Sequence, residues 1–527
     1  LQICFSLYEE PCLQYAGPVL PFFSKAVLIP VRRLLVWPRK QTCKLTRLRR
    51  CAECTDNPRG FGQFGSADVA QLYDEGNEHV LYQRLKSYIS QHLSGGSGKF
   101  DNVFIPLAIM AVGAGINFLM FVLIARVLSA EQFAVFAFWF SMLSLFAGIG
   151  LAGQAGLIFK NWNNYIQSSR FDLARGSFLF GTAVSSMGAF VAGLTAGFLQ
   201  ILGGGSLQLA LSCAVFATVF TMIYFMSAAT RAISGFIAGD GNMEITWRLF
   251  AVAAILACTA SGVSMSVATI FWILSTGVVL ALGFSMSAVL RSAPRQTLTS
   301  RAQTEVPVWR RRSLRIFLAS IVANVSLHID VLVIGIFVDP LLAGAYFVAM
   351  RVANVFKRLT AAFGSFASRR IAPLHFAGQH QKLVHSLREL SVVAVALVGG
   401  GLLFLAISAK WLLVLFGAPY ASEVWTLLVL ALGAGVTTLA GPAPELLLHT
   451  GHESRYLSLL SAGLVLRFAF LIALTPLYGT LGAAMASTAG ALITAILLNI
   501  ACKRAVGIDP SVASLFQQRA VKLEGNQ

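Results

Sequence analysis

Charge is scarce in this sequence. Asp, Glu, Lys and Arg together make up 12% of the 527 residues, about half of what a soluble domain carries, and that deficit excludes an ordinary water-soluble globular protein. The remainder is 57% hydrophobic, with a mean hydropathy of +0.73, the composition of a polytopic membrane protein. Acidic residues are the scarcer sign: 22 Asp and Glu stand against 40 Lys and Arg, a formal net charge of +18. The basic residues lie mostly in short segments between apolar runs, where they orient spans in a bilayer. The chain is therefore expected to meet lipid and no nucleic acid.

Other absences narrow the chemistry. The eight cysteines, Cys4, Cys12, Cys43, Cys51, Cys54, Cys213, Cys258 and Cys502, are divided between a basic tail and apolar spans, which argues against a disulfide framework. Cys51 and Cys54, with Cys43 nearby, form half of a zinc motif whose second Cys or His pair is missing, so no metal is expected. Gly95 to Lys99 lacks the spacing of a phosphate loop, and no cofactor is expected. The early apolar run Ala26 to Trp37 is broken by Pro30, Arg32 and Arg33 and does not read as a signal peptide. No methionine precedes Met110, so Leu1 need not be the biological start.

Residues 1–100 read as a basic N-terminal extension, largely disordered or interfacial. Within it, Val80, Leu81, Leu85, Tyr88 and Ile89 fall near one stripe of a helix over Leu72 to Leu93, which either lies on the cytoplasmic membrane surface or is solvated.

Beyond residue 100 the apolar runs are long enough, at about twenty residues each, to cross hydrocarbon. They fall near 103–125, 133–156, 176–199, 207–229, 247–264, 267–290, 314–337, 342–365, 389–409, 421–448, 456–475 and 479–501, about twelve spans in all. Every second connection is basic, carrying among others Lys160, Arg175, Arg231, Arg291, Arg310, Arg311, Arg312, Arg369, Arg370, Arg455 and Lys503, whereas the opposite set offers Arg126 and Lys410. The positive-inside rule then places both termini in the cytoplasm. The charged insert Arg291 to Arg315 divides the spans six and six: a first bundle over 101–290, a cytoplasmic linker over 291–313, a second bundle over 314–505 and a cytoplasmic tail over 506–527. At an offset of 210 residues, Ile124 to Phe138 matches Ile334 to Val348, setting Ala134 and Phe136 against Gly344 and Tyr346. The expected architecture is all-α, two six-helix pseudo-repeats of like orientation facing across a central cavity.

Several polar side chains fall inside the spans. Asp330 lies ten residues before Pro340 and Arg351 eleven after it, so a hairpin puts both about 15 Å below the turn. The spacing suggests an ion pair, which either locks two helices together or positions Arg351 for a ligand. Asn354 and Arg358 continue the Arg351 face toward the cytoplasm, although Lys357 and Arg358 could instead snorkel to the interface. Arg467 sits about 18 Å beyond Arg455, with no acid in its own span, and should face water or an anion unless Glu445 pairs with it. Pro442 and Pro444 must disturb the helix that carries Glu445. Asn117, Asn324 and His328 either line a cavity or join helices.

The stretches LIARVLSAEQFAVFAFWFSMLSLFAGIGLAGQ, HIDVLVIGIFVDPLLAGAYFVAMRVANV, LFGAPYASEVWTLLVLALG, LLLHTGHESRYL and PLYGTLGAAMASTAGALI, taken in order, resemble the Wzx-type oligosaccharide flippases, polysaccharide biosynthesis proteins within the MOP superfamily. The likeness runs from about Val103 to Gly507, with Ala134 where a glycine is usual. It implies a MATE/MOP-like fold in the bacterial inner membrane. It also implies a non-enzymatic flippase that moves a polyprenyl-diphosphate-linked oligosaccharide outward for exopolysaccharide, capsule or O-antigen synthesis. A polysaccharide polymerase and glycosyltransferases of the same pathway are its implied partners. Buried guanidinium groups suit a diphosphate, because each can donate paired hydrogen bonds to it. The expected substrate site is therefore Arg351, Asn354, Arg358, Arg467, Asp330 and Asn117. A MATE-like cation-coupled antiporter with Asp330 as coupling carboxylate shares the topology but favours buried acids, which arginines here outnumber. A polyprenyl-lipid glycosyltransferase needs acidic groups beside a sizeable outer loop, and only short loops with Glu131, Asp339 and Glu423 are present. A channel would need a ring of filter residues, and none is found.

Overall fold

The structure, a computed structural model, describes residues 98–376, 380–449, 452–506 and 510–512, without the side chains of 98–107, 359–385, 445, 448, 449, 453 and 506. The expected helix at Leu72 to Leu93, the Cys51–Cys54 pair and most of the tail after 506 lie outside the described residues, as does the side chain of Glu445. The described residues form helices without a strand.

The first half begins with α1 (Gly98–Val127), α2 (Ala130–Gly150), α3 (Gln154–Gln167), α4 (Phe171–Leu202) and α5 (Leu207–Ser234). A π-helical segment (Ile237–Thr246) then runs into α6 (Trp247–Ala260), and α7 (Val267–Ser292) closes the half. A short α8 (Arg295–Thr299) leads to α9 (Val306–Phe337), α10 (Pro340–Phe376) and α11 (His380–Val414). A 3₁₀ turn (Ala418–Glu423), α12 (Val424–Leu439), α13 (Ala443–His449) and α14 (Glu453–Val506) complete the chain. Helix starts carry the expected signals. Ser129 and Gln132 form a reciprocal capping box at α2, and Asp339 accepts the Leu341 amide at 2.8 Å ahead of Pro340 in the first turn of α10.

Ten of the described helices are long and apolar enough to cross a membrane. They account for the expected spans with two adjustments. The 54-residue α14 is non-helical at Gly479 (φ 59°, ψ −135°), three residues after Pro476, and its arms fold back together. A Cβ on Gly490 would come within 2.7 Å of that of Arg467, and one on Gly463 would strike Thr494. The expected spans 456–475 and 479–501 are those two arms. The other adjustment is α10, which covers the expected 342–365 but is not among the ten; Arg351, Asn354, Lys357 and Arg358 interrupt its apolar run.

Three boundaries differ from the expectation. α3 falls mostly in the basic connection between the expected spans 133–156 and 176–199, yet Leu157, Ile158, Trp162 and Tyr165 bury one face of an amphipathic helix. The linker is mostly helical: Trp309 is fully buried and donates to the Tyr165 hydroxyl at 2.9 Å, and Arg175 donates to the carbonyls of Leu298 and Ser300 at 2.7 Å each. α9 therefore starts eight residues earlier than the hydropathy alone suggests. The span expected over 421–448 is split, as its prolines require, between Leu439 and Ala443, where Gly441 adopts φ 78°.

The two halves share one apolar core at the end that holds the α1–α2 and α9–α10 turns. Phe121, Phe133 and Phe140 of the first half meet Phe347 and Tyr420 of the second, ring to ring at 5.3–6.2 Å. A Cβ on Gly344 would lie 2.8 Å from the Cα of Ala134. These two residues occupy equivalent positions of the sequence repeat, and equivalent positions meet only near a pseudo-twofold axis.

Candidate functional site

α10 carries the site on two faces. On one, the Tyr346 hydroxyl donates to Asp330 Oδ2 at 2.6 Å, and the Ser487 hydroxyl donates to the same oxygen at 2.6 Å. Arg467 completes the group by an ion pair with that oxygen, while its Nη1 donates to the Ser326 carbonyl at 3.0 Å. Asp330 is 4% exposed. One carboxylate thus ties α9, α10 and both arms of α14 together, and the Gly490 contact is what lets the Arg467 arm close.

This corrects two expectations. Asp330 does not pair with Arg351, and Arg467 is not an unpartnered cation. The depth argument fixed the axial level of Asp330 and Arg351 but not their direction. Tyr346, five residues before Arg351, takes the Asp330 side, and five residues turn a helix by about 500°, leaving the two side chains about 140° apart. The pair that forms serves to hold helices together, and it removes Asp330 as a positioning partner for Arg351.

On the other face, Arg351 reaches into the first half. Its guanidinium carbon lies 4.1 Å from the Phe347 ring centroid, 4.3 Å from Phe121 and 5.3 Å from Phe140. Its Nε and Nη2 are buried without a hydrogen-bond partner, and so is Nδ1 of His328, which feels the Arg351 charge. Next to it, Glu244 Oε2 accepts from Arg248 Nη1 and from Arg358 Nη1, each at 3.1 Å. Arg248 also donates to Asn117 Oδ1 at 3.0 Å and to the Glu244 carbonyl at 2.6 Å, and it lies 4.6 Å from the Trp247 ring. Arg248 and Arg358 both act electrostatically on Arg351.

The cluster therefore sets three guanidinium groups against one carboxylate. Aromatic faces return about 2 kcal/mol or somewhat more to a desolvated cation, whereas stripping water from a charge costs several kcal/mol even after relaxation. The difference is left for an anion to supply. The cluster is not sealed: the side chains of Arg358 and Glu244 are 33% and 25% exposed.

Of the residues picked from the sequence, the fold brings Arg351, Arg358 and Asn117 into this cluster, with half-buried Asn354 on the same helix. Asp330 and Arg467 form the separate structural group. Arg358 does not snorkel freely but pairs with Glu244. Asn324 packs against Gly148 of α2, while its amide donates to the Ser320 carbonyl one turn back in its own helix at 2.8 Å. Glu244, Arg248 and the aromatic rings were missed. The i, i+4 spacing of Glu244 and Arg248 is readable, but the pair straddles the start of the expected 247–264 span and so does not stand out as an intramembrane group.

No protein-family model matches the sequence, and no curated protein matches it. Solved structures do match in fold. A multidrug-resistance MATE family transporter of the MOP superfamily in an inward-facing conformation is 13% identical, with a TM-score of 0.60 over 77% of this chain and 98% of that one. The lipid II flippase MurJ, in an inward closed conformation, is 12% identical, with a TM-score of 0.59 over 80% and 93%. A MOP superfamily transporter from Pyrococcus furiosus, described for the reversed polarity of its binding pocket, is 14% identical, with a TM-score of 0.50 over 77% and 94%. The chain is a multi-pass membrane protein with the fold of the MOP transporters.

Proposed function

We propose that this chain is a flippase that carries a polyprenyl-diphosphate-linked oligosaccharide across the bacterial cytoplasmic membrane, from the cytoplasmic to the outer leaflet, with both termini in the cytoplasm. The observation that carries the reading is Arg351: a half-buried side chain between the halves, set against Phe121, Phe140 and Phe347, whose Nε and Nη2 are buried without an acceptor. A phosphate oxygen is the acceptor that suits it, because the planar fork can donate two parallel bonds. Arg358 and Arg248 add charge for a second phosphate, and Asn117 holds Arg248 in place. Arg467, expected among the phosphate ligands, is reassigned to the group that braces α10.

In this reading the two halves rock about the Ala134–Gly344 crossing while the polyprenyl chain stays in lipid. An inside-negative potential favours outward movement of an anion by about 2.3 kcal/mol per charge per 100 mV, so the energy source can be the potential itself. A pathway polymerase and glycosyltransferases are the corresponding partners. The antiporter reading draws on the same fold and on Asp240, whose Oδ2 is buried without a partner. The excess of arginine at the site argues against a cationic cargo. Export of the polysaccharide by cells carrying Arg351→Ala at normal protein level tests the proposal: export falls to background if the reading is right and is unchanged if it is wrong.

A further inference from the structure

One carboxylate sits where the cluster's charge is greatest. Glu244 Oε2 takes a hydrogen bond from Arg248 of the first half and from Arg358 of the second, both at 3.1 Å. Among the described residues, Glu244–Arg358 is the ion pair that joins residues 101–290 to residues 314–505. Arg351, which acts on the same cluster, has no acidic partner among the described residues.

The backbone under Glu244 is unusual. It belongs to the π-helical segment Ile237–Thr246, entered through Gly235 at φ 98°, and such wide turns recur at functional sites. Across from it, α1 presents Gly113, where a Cβ would come within 2.9 Å of the Glu244 Cβ. A side chain at 113 would push the carboxylate away from its two arginines.

We infer that Glu244 is an internal stand-in for a substrate phosphate, and that it sets the charge a ligand must carry to load the site. The inference rests on the flippase reading and deepens it. An empty carrier keeps Arg358 neutralised and the halves tied through Glu244. A lipid diphosphate brings two anionic groups: one takes the open Nε and Nη2 of Arg351, and the other displaces Glu244 from Arg358. Loading thereby releases the tie between the halves. A lipid monophosphate satisfies Arg351 alone and leaves Glu244 in place, so it binds without releasing the tie. The site then discriminates by phosphate number rather than by lipid length or sugar.

The experiment measures binding of undecaprenyl diphosphate and undecaprenyl monophosphate to the purified full chain in nanodiscs, wild type against Glu244→Gln. Wild type is expected to prefer the diphosphate. Glu244→Gln is expected to bind the diphosphate more tightly with little change for the monophosphate, because only the diphosphate has to displace Glu244, so that the preference widens by about tenfold, equivalent to about 1.4 kcal/mol. Glu244→Asp keeps the charge but shortens its reach, and it should widen the preference by less; it carries the test if the glutamine variant does not fold. An unchanged or narrowed preference in either folded variant overturns the role of Glu244 while leaving the flippase reading intact. Wild-type protein that binds neither lipid overturns the flippase reading itself.

Discussion

Tyr346 and Arg351 stand five residues apart on α10 and serve opposite sides of the molecule: the tyrosine hydroxyl donates to Asp330 at 2.6 Å, while the arginine lies 4.3 Å from the ring of Phe121 in the first half. One face of the helix is a brace and the other is a binding surface. The Asp330 group holds α10 against α9 and α14, and Arg351 is thereby presented to the first half from a rigid support.

Breaking the brace should cost stability before it costs chemistry. Asp330→Asn leaves the Arg467 guanidinium buried without its counter-charge, a loss of about 3–5 kcal/mol for removal of one member of a buried pair. Thermal unfolding in detergent should show a clearly lowered midpoint. Replacing Arg467 as well, by leucine, should recover a large part of the loss.

Lysine should not replace Arg351. It keeps the charge but loses the planar fork and the stacking against Phe347 and Phe121. Polysaccharide export by Arg351→Lys should fall about tenfold or more while the unfolding midpoint stays near wild type. Full export by this variant would mean that charge alone suffices.

The crossing of α2 and α10 depends on small residues. A valine at Gly344 would drive a side chain into Ala134, whose Cα stands 2.8 Å from the position of the first added carbon. Overpacking of this kind costs about 1–3 kcal/mol. The halves should separate at that end, and spectroscopic distances between labels on the α1–α2 and α9–α10 turns should lengthen relative to wild type.

A second contact closes the same end. Arg126 donates through Nε to the Leu415 carbonyl and through Nη2 to the Val414 carbonyl, each at 2.7 Å, so the last carbonyls of α11 meet a cation. Arg126→Gln loses this clasp. Cysteine labelling at residue 133 by an impermeant reagent should rise if the clasp holds the end shut, and should stay at wild-type level if it does not.

Much of this was legible in the sequence because bilayer physics writes itself in long apolar runs and in the side on which arginines collect. The spans, the repeat joining Ala134 to Gly344 and the placing of Arg351 on a buried face all follow from spacing. What spacing did not give was direction. Asp330 and Arg351 share a level, but the helix azimuth that sends one to Arg467 and the other to Phe121 depends on Tyr346, Ser487 and Gly490, which pack from remote segments. α3 escaped notice because its buried stripe is too short to resemble a span. Glu244 did so because it falls in the connection ahead of the expected 247–264 span rather than within a span.

The central claim is that the guanidinium of Arg351 is the free half of a diphosphate site. Its most direct test is the affinity of purified protein for undecaprenyl diphosphate, wild type against Arg351→Ala, with the unfolding midpoint taken on the same samples. Saturable wild-type binding that weakens at least about tenfold in the variant, about 1.4 kcal/mol, with an unaltered midpoint is the expected result; equal affinity in the two proteins would contradict the account.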